Sequence, residues 1–295
     1  MIFGINGNTS KENVGSVIHQ LSEKLTAAGF NFLVADSLKP VIAPADESIL
    51  HKFISMEKLG AECDVIISVG GDGTMLTAAQ YAHKFDTPIV GMNAGKLGFL
   101  AEVDIEGLDV FIEEIKLGEY KIEERISLEG KVISSLYEGE TIFAINDFVV
   151  DKGGWSKMVE IELTIDDEYV TTFSADGLII ATPAGSTGYS LSVGGPIVNP
   201  KAEVIAISPI SPHSLTFRPL IVNKDQVIKI KVHSPHTRVL LNCDGQRAFE
   251  YHPPVVFEAA RSSKPLKVLR TNSMSYFSVL RNKLMWGMDL RSHTK

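Results

Sequence analysis

An aspartate set inside a glycine turn, Gly70-Gly71-Asp72-Gly73-Thr74, is the feature of this chain best suited to chemistry. Glycines between a strand and a helix leave backbone N–H groups free. The helix N-terminus adds positive potential, so a phosphate is held there without side-chain charge. A carboxylate in such a turn repels phosphate unless it has a task of its own. Asp72 is therefore expected to handle a hydroxyl or a metal beside cradled phosphates. A second polar pair, Asn146-Asp147, stands within the apolar stretch 142–150. Alternation along a strand puts the two side chains on opposite faces, and burying either without a partner costs roughly a few kcal/mol. A ligand contact and an internal hydrogen-bond plug or bulge are equal readings of this pair. The third stretch, 176–196, runs from Asp176 through an apolar strand into Thr182, Gly185, Ser186, Thr187, Gly188, Tyr189, Ser190 and Ser192. Hydroxyls and glycines at that density suit a loop that wraps a sugar or phosphate and then opens a short helix. An ordinary Ser/Gly turn is the competing reading.

Familiar nucleotide and hydrolase signatures do not fit. The stretch from Gly91 to Leu97 resembles a P-loop, but only Met92, Asn93 and Ala94 separate its glycines, and Leu97 stands where Ser or Thr is required. Leu76 occupies the place of the third glycine of a dinucleotide fingerprint, and the spacing of Gly185-Ser186-Thr187-Gly188 is not that of a nucleophile elbow. His233 and His236 flank Ser234-Pro235, which suits a surface turn better than a metal pair. Asp244-Gly245-Gln246 follows an apolar strand and reads as a hairpin turn.

The elements that must carry these residues change character along the chain. Up to about Lys121, strand-like and helix-like segments alternate: strands at 2–5, 30–34, 65–69 and 88–92, and helices at 14–25, 47–59, 75–82 and 107–117. That rhythm predicts a parallel, Rossmann-like sheet with helices on both faces and ligands at the carboxyl ends of its strands. Beyond Lys121, short alternating segments without long helices predict an all-β sandwich. We expect an α/β domain over 1–121, a β-sandwich domain over 122–271, and a tail, 272–295, apolar enough to dock, at a place the sequence alone does not name.

Bulk composition narrows the function. With 295 residues and 44% hydrophobic content the chain can bury two cores. A formal charge of −8 argues against a nucleic-acid partner, though not against small anions. Two cysteines, Cys63 and Cys243, are too few and too far apart for a disulfide framework or a zinc site and fit a reducing compartment. No apolar run approaches the ~18 residues of a membrane span, so a cytoplasmic protein without a membrane partner is expected.

Taken together, the three stretches resemble the NAD kinase family of bacterial type. The glycine turn alone is shared with diacylglycerol, sphingoid and 6-phosphofructo kinases. Gly95-Lys96-Leu97-Gly98-Phe99-Leu100, Asn146-Asp147 and Thr182-Pro183-Ala184-Gly185-Ser186-Thr187 make the likeness specific. The resemblance implies transfer of the γ-phosphoryl of ATP, or of polyphosphate in some members, to the 2′-hydroxyl of the adenosine ribose of NAD. Mg²⁺ or another divalent cation would accompany ATP, the β-sandwich over 122–271 would be the dinucleotide-binding domain, the tail 272–295 would dock back on 1–121, and the assembly would be a homodimer or homotetramer. Carried over by position, Asp72 would take or orient the hydroxyl proton, with Gly71, Gly73 and Thr74 beside the phosphates. Phe99 would pack on adenine, and Asn146 and Asp147 would hold ribose hydroxyls. Asp176, Thr187, Gly188 and Tyr189 would line the adenosine pocket, with Ser192 nearby and Gln246 closing the nucleotide-binding set. Three positions depart from the family: Asp147 where Glu is usual, Gly188 where Ala is commoner, and Ser174 where many bacterial members carry Arg. The alternatives are a lipid kinase sharing the turn and a non-catalytic NADP(H)-binding sensor.

Overall fold

The computed structural model describes residues 1–11, 13–42, 47–95, 98–134, 137–138 and 141–286. Lys96 and Leu97 of the second family stretch, and the end of the tail from 287, lie outside the described residues. The chain divides into two compact units, Met1–Glu124 with Leu266–Lys295, and Arg125–Pro265.

A single sheet organises the first unit. From one edge its strands are Phe53–Ile54, Asn31–Ala35, Ile2–Gly7, Val65–Gly70, Ile89–Asn93, Leu266–Thr271 and Tyr120–Arg125. The first six are mutually parallel. Val65–Gly70 is buried at every position, as a strand covered on both faces must be. Helix Val14–Ala27 buries Val14, Val17, Ile18, Leu21 and Leu25, a stripe at helical spacing. Each such side chain contributes about 1.5–3 kcal/mol when withdrawn from water. Gly29 (φ 81°) and Gly118 (φ 73°) turn the chain after Val14–Ala27 and Leu108–Leu117 in a conformation that a Cβ disfavours.

Two segments differ from expectation. The helix expected over 47–59 is a 3-10 turn, Glu47–Lys52, a short strand, Phe53–Ile54, and a later helix, Met56–Glu62. Ser55 decides this: its Oγ accepts from Lys58 N (3.3 Å) as an N-cap, so the helix starts after it. Phe53 and Ile54 are drawn instead into pairing with Val34 and Ala35. The chain also returns to the first unit at Leu266, ahead of the expected boundary at 271/272. Val268 there pairs parallel with Ile89, and Leu266 to Thr271 are almost all buried. The tail follows as helix Tyr276–Leu284, capped by Ser275, with Val279 and Leu280 buried in the first unit.

The second unit is built from antiparallel sheets. One runs Leu220–Asn223, Val204–Ile210, Gly177–Ala181, Asp147–Asp151, Val239–Cys243, Arg247–Tyr251. The other contains Glu168–Ala175, Val159–Ile165, Ile228–His233, Val255–Arg261 and Leu128–Ser134. Alternating residues of both fill one core, in which Phe148 and Phe257 meet edge to face at 5.2 Å. Asp166 and Asp167, both with positive φ, make the hairpin turn. Among the described residues, no helix is long and apolar enough to cross a membrane.

Candidate active site

The first unit places the glycine turn where strand Val65–Gly70 ends and helix Asp72–Phe85 begins. Gly71 is the N-cap, so Asp72 is the first helical residue, with Gly73 and Thr74 in the same first turn. The Thr74 side chain lies over Gly70: a Cβ on Gly70 would stand 2.4 Å from Thr74 Oγ1. Asp72 is not loose in the turn. Its Oδ2 accepts the N–H of Phe99 at 2.9 Å, and its Oδ1 accepts those of Leu100 (2.9 Å) and Ala101 (3.1 Å). Gly98 makes that approach possible, since a Cβ there would lie 2.0 Å from Oδ1. A carboxylate offers about four in-plane acceptor positions. Among the described residues, these three bonds leave one position, on Oδ2, open to an incoming hydroxyl. Phe99 is half-buried, and the Lys283 ammonium stands 5.2 Å from its ring centroid.

The second unit corrects the reading of 142–150 as one strand. Ile142–Ala144 pairs with Leu128–Ser134, whereas Asp147–Asp151 pairs with Gly177–Ala181 and Val239–Cys243. The chain breaks at Ile145-Asn146 to change sheets, and the break leaves backbone donors without a ladder. Asp244 answers them: its carboxylate accepts the N–H groups of Ile145 (3.0 Å), Asn146 (2.6 Å) and Asp147 (3.2 Å). Asp244 does sit in a hairpin turn, with Gly245 (φ 55° and 63°), but its side chain was not foreseen as part of the site. The signal lay in the polar break, whose stranded N–H groups demand an acceptor from elsewhere in the fold.

Asn146, Asp147, Gly188 and Tyr189 come together around one cavity of about 290 Å³, joined by Asp151, Asn242 and Asp244. Asn146 Oδ1 is buried and, among the described residues, without a hydrogen-bond partner. Gly188 opens towards these groups: a Cβ there would lie 3.7 Å from Asn146 Nδ2 and 3.8 Å from Asp147 Oδ2. Burial, then the nearby charge of Asp244, pushes Asp147 up to about 7. Burial likewise raises Asp244, against the pull of its N–H bonds, and raises Asp151, whose Oδ2 accepts from Asn242 Nδ2 at 3.1 Å.

The other expected residues do not line this cavity. Asp176 accepts the Lys152 ammonium at 2.6 Å, Thr187 Oγ1 donates to Ala184 O at 3.1 Å, and Ser192 and Gln246 are exposed. Much of the hydroxyl-rich loop is structural. Thr182 Oγ1 donates to Ile145 O (2.7 Å), Ser186 Oγ donates to Pro183 O (2.6 Å), and Ser190 pairs with Ser208 (3.1 Å). Gly185 packs on the break itself, where a Cβ would meet Asn146 O at 2.1 Å.

A pH dependence follows. Asp147 ionises near pH 4 in an unfolded chain and near 7 when folded, so folding favours its neutral form. The stability this contributes is complete below about pH 4, is lost as pH rises to about 7 and is level above that. Urea midpoints of the wild type should therefore fall by an amount equivalent to roughly a few kcal/mol between pH 5 and 8, and the Asp147→Asn variant should show a flatter profile. An identical slope in the variant would assign the dependence to other groups.

A glycine turn with a carboxylate at the start of a helix in an α/β unit, and a carboxylate-walled cavity in an antiparallel unit, fit a two-unit protein of the nucleotide-handling kinase class. Residues 3–120 match the ATP-NAD kinase N-terminal domain and residues 145–271 the ATP-NAD kinase C-terminal domain. The NAD kinase of Chlorobium phaeovibrioides is 36% identical over 98% of this chain and 100% of its own length. That of Heliobacterium modesticaldum is 41% identical over 77% of this chain and 80% of its own. The chain belongs to the NAD kinase family. Its fold is that of yeast NADH kinase in complex with NADH (TM-score 0.88, 24% identity, 100% of this chain and 90% of that one). It is likewise similar to an NAD kinase from Archaeoglobus fulgidus in complex with ATP (TM-score 0.75, 23% identity, 97% and 99%).

Proposed function

We propose that this protein is an NAD kinase, moving the γ-phosphoryl group of ATP to the 2′-hydroxyl of the adenosine ribose of NAD to give NADP and ADP. The observation that carries this is the Asp72 carboxylate, fixed by three N–H bonds at the start of a helix with one acceptor position on Oδ2 to spare. Phosphoryl transfer asks the protein mainly for alignment, neutralisation of charge and somewhere for the proton to go. The 2′-oxygen bonds to the γ-phosphorus as the bond to the ADP oxygen breaks, and Asp72 Oδ2 receives the hydroxyl proton. Backbone N–H groups at Gly71, Gly73 and Thr74 hold phosphate oxygens, and Phe99 offers a ring for adenine.

In the second unit, Asn146 and Asp147 hold hydroxyls of the dinucleotide, with Gly188 and Tyr189 framing the same cavity. Asp176, Thr187, Ser192 and Gln246 stay in the proposed binding set, although none of them lines that cavity. The unpaired buried Asn146 Oδ1 supports this, because it needs a donor that a ribose hydroxyl supplies. A lipid kinase is disfavoured by three carboxylates and two amides in the wall, where an acyl chain requires apolar groups. A sensor without turnover would have no use for a carboxylate so elaborately held at Asp72.

A divalent cation, Mg²⁺ in the first instance, belongs with ATP in this reading. Among the described residues there is no cluster of three or more His, Cys, Asp or Glu able to cage a metal. An ion carried on the phosphates would keep its waters, and one of those waters would donate to Asn93 Oδ1, which is buried without a partner among the described residues. When bound, the cation would neutralise charge gathering on the phosphoryl oxygens. A cytoplasmic homodimer or homotetramer is part of the same proposal, and the two free, buried cysteines suit a reducing compartment.

The decisive assay is incubation with NAD, ATP and Mg²⁺, read by an NADP-specific dehydrogenase, with parallel tubes containing polyphosphate or NADH. NADP should form. Phosphorylation of diacylglycerol or sphingoid base without NADP would overturn the proposal. Tyr189, 48% exposed on the cavity rim, yields a second expectation: Tyr189→Ala should raise KM for NAD by about tenfold through lost stacking, with kcat little changed. A purely kcat effect would remove Tyr189 from binding.

A further inference from the structure

The loop after the first strand brings a lysine to the glycine turn. Strand Ile2–Gly7 leads into Asn8, whose N–H donates to Val69 O at 3.1 Å, and Asn13 Nδ2 donates to Ala94 O at 2.9 Å. The loop is thus tied at both ends to the carboxyl ends of strands Val65–Gly70 and Ile89–Asn93. Within it, Lys11 N donates to Asn8 O and Lys11 O accepts from Val14 N, both at 3.2 Å. The side chain reaches over the turn. Lys11 Nζ lies 4.0 Å from where a Cβ of Gly71 would stand and 3.9 Å from that of Gly95. Among the described residues, no other non-neighbouring atom comes within 4 Å of either position. Among the described residues, Lys11 forms no ion pair.

A separate observation points into the same place. Asn93 is 2% exposed, and its Nδ2 donates to Gly95 O at 2.9 Å, yet its Oδ1 has no partner among the described residues. A buried acceptor left unpaired is unfavourable, and the hydration water of a bound polyanion would supply the missing donor. The three features form a cradle: open glycine backbone at the N-terminus of a long helix and, among the described residues, an ammonium without a carboxylate and an unfilled acceptor.

We propose that Lys11 binds the phosphate chain of the phosphoryl donor, its ammonium contacting oxygens of the terminal phosphates above Gly71 and Gly95. This deepens the kinase reading and rests on it. The occupant is a linear triphosphate rather than the pyrophosphate of the dinucleotide, because the ammonium overhangs the same turn that holds Asp72 beside the group in transfer.

The test compares wild type, Lys11→Ala and Lys11→Arg. Equilibrium binding of ATP with Mg²⁺ is measured first, since it needs no turnover, followed by KM for ATP and for NAD and inhibition by inorganic triphosphate. Lys11→Ala should weaken ATP binding and triphosphate inhibition by about tenfold or more, the scale of one charge-assisted hydrogen bond. KM for NAD should stay within about twofold, and Lys11→Arg should recover most of the loss. Unchanged ATP binding in Lys11→Ala overturns the proposal, as does a rise confined to KM for NAD, which would assign the lysine to the dinucleotide. An equal loss for both substrates with a lowered melting temperature also overturns it, by reducing Lys11 to a structural role. Failure of the kinase reading is told apart by a wild type that binds ATP yet makes no NADP.

Discussion

Asp72→Asn should lower NADP formation by at least ~100-fold, the scale at which a lost general base is felt, while NAD still binds. The geometry says why the variant should remain folded. Asparagine can present its carbonyl oxygen to the N–H groups of Leu100 and Ala101, which now share Oδ1. Its amide NH₂ then faces the N–H of Phe99, donor against donor, where Oδ2 now accepts. One hydrogen bond is lost, at a cost of roughly 1–3 kcal/mol, and with it the acceptor position for the ribose proton. Steady-state rates, NAD binding by titration and a melting curve on the same preparation separate the two effects. Wild-type turnover in this variant would remove Asp72 from the chemistry.

Asp244→Ala should be the more damaging change to the fold. It would leave the N–H groups of Ile145, Asn146 and Asp147 without their acceptor in the interior. Penalties of about 1–3 kcal/mol for each buried orphan, partly relieved by water entering the cavity, predict a net loss of roughly 3–5 kcal/mol. That corresponds to a fall in melting temperature on the order of 10 °C. Asp244→Asn keeps an oxygen at Oδ1, which all three donors reach, so it should melt within a few degrees of wild type. Equal destabilisation by the two substitutions would mean that the charge of Asp244, rather than its acceptor geometry, secures the break.

The same residues show what a sequence can and cannot disclose. The parallel sheet was readable because buried strands such as Val65–Gly70 and stripes such as Val14, Val17, Ile18, Leu21 and Leu25 carry their period within a short window. The segment 47–59 misled because its apolar spacing suits a helix, while the cap at Ser55 and the pairing of Phe53 with Val34 decide otherwise. In the hydroxyl-rich loop, composition announced a special structure but could not separate hydroxyls that tie the loop down, Thr182, Ser186 and Ser190, from those free to meet a ligand. Asp244 lies 98 residues from Asn146, and nothing local to either announces the bond between them. The three N–H groups on Asp72 were equally hidden, since Phe99, Leu100 and Ala101 reach it only once neighbouring strands are in register.

The most direct measurement is a crystal structure of the enzyme with NAD and a non-hydrolysable ATP analogue. We expect Asp72 Oδ2 within hydrogen-bonding distance, about 2.6–3.2 Å, of the 2′-oxygen of the adenosine ribose, its three main-chain donors still in place. A carboxylate that remains beyond reach of that oxygen, with both nucleotides bound, would contradict the assignment of the proton to Asp72.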